Sequence, residues 1–320
     1  MMSRDLFGFA LGLAMAATAP LAGCDRDTPT HPAVPADTIA ARIPTQGTPT
    51  TLDVGSWNIE WFGDAGNGPT NEALQLATVT SALTAMDLDI IGLQEVVSSA
   101  QFTDLDTRLG AYTGILASDG IVAGGAASYT AGEQKVAILY KPGVATLMGA
   151  RIVLASDAND FAGRPPLEAT FRVTVNGTAR DLVVLVVHMK AFADAESWQR
   201  RVNAAAALKA YLDQQYPTQQ VVVIGDFNDD VDTSISSGRP SPYSPFVGDV
   251  DRYAFPTAAL SLSRLPTTVG FADAVDHHLA SNELMATYVS GSARAVRLDQ
   301  HITNYANITS DHYPVVSAYR

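Results

Sequence analysis

Eight polar residues of the chain sit where a short apolar run stops or starts: Asn58, Glu95, His188, Asp226, Asn228, Asp299, Asp311 and His312. An isolated Asp in such a place is usually a turn former or a helix cap, and an isolated His is usually a hydrogen-bonded core residue. The set is different. Carboxylates, carboxamides and two histidines, with no Cys or Ser nucleophile pattern, are the inventory for holding a hard divalent cation and a phosphoryl group. The clearest instance is VVVIGDFNDD at 221–230, where four apolar residues and a glycine run into three aspartates and an asparagine. So much uncompensated charge at the end of a buried strand asks for a counterion. Mg²⁺ is the natural one, and Mn²⁺ or Ca²⁺ would suit the same oxygen ligands. Of the three acids Asp226 has the place of a site residue, whereas Asp229 and Asp230 are expected to do no more than shape the following loop.

Active sites of layered α/β proteins gather at strand ends, where a rigid sheet fixes side chains that the adjoining loops leave open to solvent. The runs of strand length are LDVGSW (52–57), LDIIGL (88–93), KVAILY (135–140), LEATFRVTV (167–175), DLVVLVVH (181–188), VVVIG (221–225) and YPVVSAY (313–319). Between them, 71–86 and 195–216 return apolar residues at three and four positions and are predicted to be helices. Strict βαβ alternation is absent. The runs at 135–140 and 144–154, and those at 167–175 and 181–188, are predicted to form antiparallel hairpins through Pro142-Gly143 and Asn176-Gly177. The fold class is therefore α/β with mixed sheets. A further short strand is expected between Asp299 and His301. His277-His278, in GFADAVDHHLAS, is read as surface loop, and Arg200 and Arg201 as a solvated helix face. Lys190, two residues past His188, is placed to reach a phosphate.

The 320 residues are 47% hydrophobic and 17% charged, which suits a globular protein. The net charge of −13 argues against tight nonspecific binding to nucleic acid or anionic membrane, although a bound cation inverts the charge locally. With Cys24 as the one cysteine, no intrachain disulfide can form and no thiolate cluster is available for zinc. Residues 6–22 are apolar, short and rich in Ala and Gly, and are read as an export signal rather than a membrane span. Leu21-Ala22-Gly23-Cys24 resembles the lipobox of bacterial lipoproteins, which implies cleavage before Cys24 and acylation of its sulfur. A plain signal peptide with an accidental cysteine is the alternative. The expected organisation is a signal peptide at 1–23, a lipidated Cys24 with a solvated tether holding five prolines through residue 50, and one catalytic-size domain at 51–320. Such a protein would be an exported monomer, anchored in a membrane and facing the periplasm or the cell exterior.

WNIEWF (57–62), LQEV (93–96), VVHMKAF (186–192), GDFN (225–228), RLDQHI (297–302) and SDHYPV (310–315) resemble, in that order, the motifs of the endonuclease/exonuclease/phosphatase superfamily. This resemblance implies the pancreatic deoxyribonuclease-like fold, a four-layer sandwich of two packed mixed β-sheets flanked by helices. It also implies roles. Glu95 would be the principal Mg²⁺ ligand with Asn58 beside it, and Asp311 would face the same or a second metal. Asp226 and Asn228 would orient and deprotonate the attacking water. His312 would contact the scissile phosphate with Asp299 orienting it, and His188 would give a second phosphate contact. Two departures bear on substrate: Glu60 and Val97 stand where deoxyribonuclease-like members tend to carry arginines. A glutamate supporting the first histidine is expected near Glu133-Gln134.

These roles make sense without the family, because phosphodiester cleavage is mostly electrostatic stabilisation and positioning. The leading expectation is an exported Mg²⁺-dependent phosphodiesterase acting on DNA or RNA. The alternative keeps the chemistry but takes a phospholipid or inositol phosphate, as a phosphatase or phospholipase C does. A third reading, a catalytically silent envelope binding protein, is disfavoured because every core motif residue is present.

Overall fold

The apolar runs build two sheets, and the reason they pair as they do is visible in their patterning. The computed structural model describes Ile39 and residues 41–320, so the leader and Cys24 lie outside the described residues. Sheet one has the order β12 (Arg294–Ala295), β13 (Val315–Tyr319), β1 (Leu52–Phe62), β2 (Ile90–Val96), β5 (Lys135–Tyr140) and β3 (Thr113–Leu116). Sheet two has the order β10 (Tyr253–Ala254), β11 (Asp276–Ser281), β9 (Val221–Asp226), β8 (Thr178–His188), β7 (Leu167–Val175), β6 (Ala145–Ile152) and β4 (Val122–Ala123). Both are mixed: β1–β2 and β8–β9 are parallel, while β1–β13 and β9–β11 are antiparallel.

Each central strand is apolar without alternation because both of its faces are covered. Val184 and Val186 of β8 join Val222 and Ile224 of β9 in packing against Val54, Ile90 and Ile138 of sheet one, forming the layer between the sheets. Their neighbours Val183, Leu185 and Val187 face outward onto Ala204, Leu208 and Leu212 of helix α3 (Ala195–Gln215). On the far side, α1 (Glu72–Met86) and α2 (Ser99–Leu109) lay Leu76, Val79, Leu83, Phe102 and Leu105 over Trp57, Ile59, Ile91 and Leu93. This is the four-layer sandwich. Asn71 and Asp194 set the helix starts, with Asn71 Oδ1 accepting from Leu74 N and Asp194 Oδ1 from Ser197 N.

Two glycines let the layers close. A Cβ on Gly92 would come within 2.9 Å of Ile224 and Val186 across the sheet interface, and one on Gly225 (φ 150) would come within 2.0 Å of Val187 O. The ends of β2, β8 and β9 are thereby pulled together.

Several elements differ from what the sequence pattern predicts. Asn176-Gly177 (φ 51 and 76) does form a two-residue hairpin turn, with Val175 opposite Thr178. Pro142-Gly143 does not; it carries the chain from β5 in one sheet to β6 in the other. The predicted strand between Asp299 and His301 is a turn of 3₁₀ helix over Leu298–Gln300. The tether read through residue 50 ends earlier, since Ile39 and Ile43 are buried in the α1 layer and Gln46 N and Gly47 N both donate to Met86 O. His277-His278 is not surface loop but fully buried β11. Burial pushes their pKa values down to about 4 and about 3, so they are neutral core residues bonded to Thr257 and Ser317. Among the described residues no helix is long and apolar enough to cross a membrane.

Candidate active site

In the parallel β1–β2 pair Asn58 lies opposite Gln94, so Asn58 and Glu95 emerge at one end of sheet one. In the parallel β8–β9 pair His188 lies opposite Asp226, and these emerge at the adjacent end of sheet two. Asn58 joins the two ends, its Nδ2 donating to Glu95 Oε1 at 3.0 Å and to Asp226 Oδ2 at 3.1 Å. His188 Nε2 lies 3.5 Å from Asp226 Oδ2 and 3.7 Å from Glu95 Oε1. Antiparallel β11 begins with Asp276, opposite Asp226, and Asp276 Oδ2 is 2.9 Å from His312 Nδ1.

The chain has to leave these strands abruptly. Glu60, Trp61, Glu95, Phe192 and Asn228 all have φ between 43° and 79°, a left-handed backbone that Asn tolerates but that costs the other four about 1–3 kcal/mol each. Local bonds enforce it. Glu60 N donates to Asn58 Oδ1, Trp61 N to Glu95 Oε2 and Asn228 N to Asp226 Oδ1. The strained turns are thus wrapped around the polar groups that they present, a concentration typical of functional sites.

Electrostatics separates the two histidines. Burial works against charge on His312, but Asp276 and Asp226 outweigh it and hold the imidazole well above its usual pKa. Burial, reinforced by the cations Arg164 and His312, holds His188 well below. One imidazolium and one neutral imidazole therefore flank Asp226, whose own carboxyl is pushed up to about 7 by burial, with Asp276 adding to the rise and His312 opposing it. Glu60 is also pushed up to about 7, by burial and by the charges of Asp311 and Glu95. All of this opens into a cleft of about 510 Å³ that Asn228, Asp311, Lys190, Arg164, Arg200 and Phe192 also line.

A model of the Endonuclease/Exonuclease/phosphatase family matches residues 55–312. The chain belongs to this family. Solved structures agree on the fold: the human Nocturnin catalytic domain with bound sulfate anion (19% identity, 85% of this chain and 93% of that one, TM-score 0.58), an AP endonuclease from Archaeoglobus fulgidus (17%, 84% and 99%, 0.58) and D. rerio TDP2 complexed with single strand DNA product (14%, 84% and 99%, 0.57). No curated protein matches in sequence. As a member of the endonuclease/exonuclease/phosphatase family, the protein is a metal-dependent phosphoric ester hydrolase.

The residues present fit a divalent cation. Glu95, Asp226 and Asp311 line one cleft, and Glu60 lies close to them, its carboxyl raised by burial and by the charges of Asp311 and Glu95 and its Oε2 buried with no hydrogen-bond partner. Asp226, Asp276 and His312 also place ligand-type atoms within 4.8 Å of one another.

Seven of the eight strand-end residues converge on the cleft or its wall; Asp299 does not. It binds Arg297 (2.7 Å) and Tyr313 Oη (3.1 Å), and Asp276 is the carboxylate on His312. Asp276 was legible only if DHHLAS were read as a strand running antiparallel to β9, since its first residue then falls at the site end. Neither Glu133 nor Gln134 supports His188, whose Nδ1 is buried without a partner. Gln134 instead accepts from Arg164 Nη1 at 2.5 Å. Arg164, in the RPP turn before β7, was missed altogether. Arg201 is not on a solvated face: it is fully buried, with Nε 2.9 Å from Asp229 Oδ2. Asp229 is therefore a buried counterion. Asp230 is buried as well, accepting from Ala274 N just before β11.

The two aspartates make a direct comparison. Asp276→Asn should lower kcat for bis-p-nitrophenyl phosphate by about 10²-fold or more, because His312 loses the charge that keeps it cationic. Asp299→Asn should stay within about threefold, as an exposed ion-pair change predicts. Equal losses in the two variants would show that Asp276 has no special hold on His312.

Proposed function

We infer that the protein is a Mg²⁺-dependent phosphodiesterase that cleaves nucleic acid by attack of water on phosphorus. The observation that carries this reading is the buried Asp226, with its raised pKa, set between a neutral imidazole and an imidazolium. Asp226 takes the proton of the attacking water, and Asn228, beside it, orients that water. As the water oxygen bonds phosphorus and the ester oxygen leaves, charge grows on the nonbridging oxygens. The His312 imidazolium donates to one of them and His188 contacts another. Asp276 keeps His312 oriented and charged.

Glu95 and Asn58 would hold the ion, with Asp311 facing it from the mouth of the cleft. Once bound, it would supply Lewis-acid stabilisation of the phosphoryl charge. The oxygen set is a better home for Mg²⁺ than the Asp226, Asp276 and His312 group, because an ion there would compete with the imidazolium proton that both carboxylates hold.

Two features support nucleic acid as substrate. Arg164, Lys190 and Arg200 place cations in the cleft of a chain whose net charge is −13, which suits a polyanion with phosphates beyond the scissile one. D. rerio TDP2, which shares the fold, has been seen with single strand DNA product. Glu60 favours a second reading, a smaller phosphoester such as an inositol phosphate or a phospholipid headgroup, since an acid stands where deoxyribonuclease-like members tend to carry an arginine that reaches toward the nucleic-acid backbone.

With Mg²⁺, the protein should hydrolyse single-stranded or plasmid DNA or RNA in preference to inositol phosphates and sphingomyelin. Asp226→Ala and His312→Ala should each lose about 10²-fold or more, and excess chelator should abolish activity. Preference for the phosphorylated small molecules would overturn the substrate, and full activity in chelator would overturn the metal. We also propose that Cys24 is acylated and the enzyme exported and membrane-anchored, because the apolar run at 6–22 leads directly into Gly23-Cys24, completing LAGC at 21–24. Labelled palmitate should enter the wild type and not Cys24→Ala; incorporation by both would remove the anchor.

A further inference from the structure

The segment between His188 and α3 is built to a tolerance that the chemistry at Asp226 does not require. Phe192 has φ 79, conformationally costly for an aromatic residue, and the residue is 70% exposed where it lines the cleft. Single exposed apolar residues are ordinary. An exposed ring on a strained backbone whose carbonyls are individually pinned from below is not. Arg201 Nη1 donates to Lys190 O at 2.6 Å and to Phe192 O at 2.7 Å, while Met189 O accepts from Arg164 Nη2 at 2.8 Å and from Asn228 Nδ2 at 3.2 Å. Arg201 is itself fixed by Asp229, which Ser234 Oγ and Ile235 N also bond. A fully buried ion pair costs desolvation. Here it holds one strained turn in place.

What the turn presents is a flat apolar ring with a cation against it. Lys190 Nζ lies 4.4 Å from the Phe192 ring centroid, and the half-buried Arg200, anchored through Nε to Asn159 O at 3.0 Å, lines the same cleft. An aromatic face beside cations is the composition that binds a nucleobase together with its phosphate, because stacking tolerates every base and the cations take the backbone.

We propose that Phe192 is a specificity-determining residue that stacks a base flanking the scissile phosphate, with Lys190 holding the adjacent phosphate. The inference rests on the nucleic-acid reading of the site and narrows it: the enzyme recognises unpaired nucleotides, whose base faces are free to stack, rather than the sugar-phosphate backbone alone.

Two single strands of equal length test this, one with normal bases and one in which the nucleosides are replaced by tetrahydrofuran abasic units. The wild type should favour the base-bearing strand by about tenfold in kcat/KM, mainly through KM, as one stacking contact allows. In Phe192→Ala the ratio should fall to about one, whereas Phe192→Trp should keep it. The tryptophan variant adds a readout without turnover, since in chelator its fluorescence should be quenched by the base-bearing strand and not by the abasic one. Equal cleavage of both strands by the wild type would overturn the stacking role while leaving the nuclease reading intact. So would a Phe192→Ala variant that folds and keeps the wild-type ratio. Hydrolysis of inositol phosphates with neither strand cleaved would overturn the nuclease reading itself, and this inference with it.

Discussion

Negative charge gathered at a buried sheet end has to be balanced, and the architecture of this protein follows from how it is done. Glu60, Glu95, Asp226, Asp276 and Asp311 meet where two sheets converge, a placement that repulsion and desolvation both disfavour. One compensating charge is internal: His312, held cationic between Asp276 and Asp226. Arg164 adds a second at longer range, helping to keep His188 neutral. The rest is left to a divalent ion, the form in which a phosphoric ester hydrolase can make use of an acidic site. The arrangement works only if the strand ends are fixed, and the close approach of β8 to β9 at Gly225 and of the two sheets at Gly92 does this.

Rigidity is extended beyond the strands by polar clamps. The left-handed turns at Glu60, Trp61, Glu95 and Asn228 are held by bonds from their own N–H groups or carboxylates to the neighbouring site groups, so strain and chemistry share atoms. The turn at Phe192 is held from a distance by Arg201 and Asp229. That pair ties Asp229 of GDFNDD to the turn at Phe192, so one short segment serves twice: Asp226 lines the cleft and Asp229 fixes the turn that carries Phe192.

Much of this was legible in the sequence. Unalternating apolar runs such as DLVVLVVH announced strands buried on both faces, and their polar terminal residues pointed to the strand ends that converge on the cleft. What failed did so for long-range reasons. The motif resemblance assigned Asp299 of RLDQHI to His312, yet the partner came from β11, whose register against β9 puts Asp276 across from Asp226. Pro142-Gly143 has the composition of a hairpin turn, but β5 and β6 each found a better partner elsewhere and the turn became the crossover between sheets. Arg201 sits on a helix in a charged context that suggests solvent, and only the fold shows a buried aspartate waiting beneath it. Two adjacent histidines in β11 looked polar and proved to be neutral core residues, since a hydroxyl partner for each made burial tolerable.

The central claim, that the acidic sheet end is a cation site in the folded chain, is measured most directly by titrating the protein with Mn²⁺ and following the loss of the free-ion electron paramagnetic resonance signal. The wild type should bind, Glu95→Gln should bind at least about tenfold more weakly and Asp299→Asn should bind as the wild type does, since loss of a ligating carboxylate removes a charge from the ion while the second substitution lies outside the site. A folded wild type that takes up no Mn²⁺, or a Glu95→Gln variant with wild-type affinity, would contradict it.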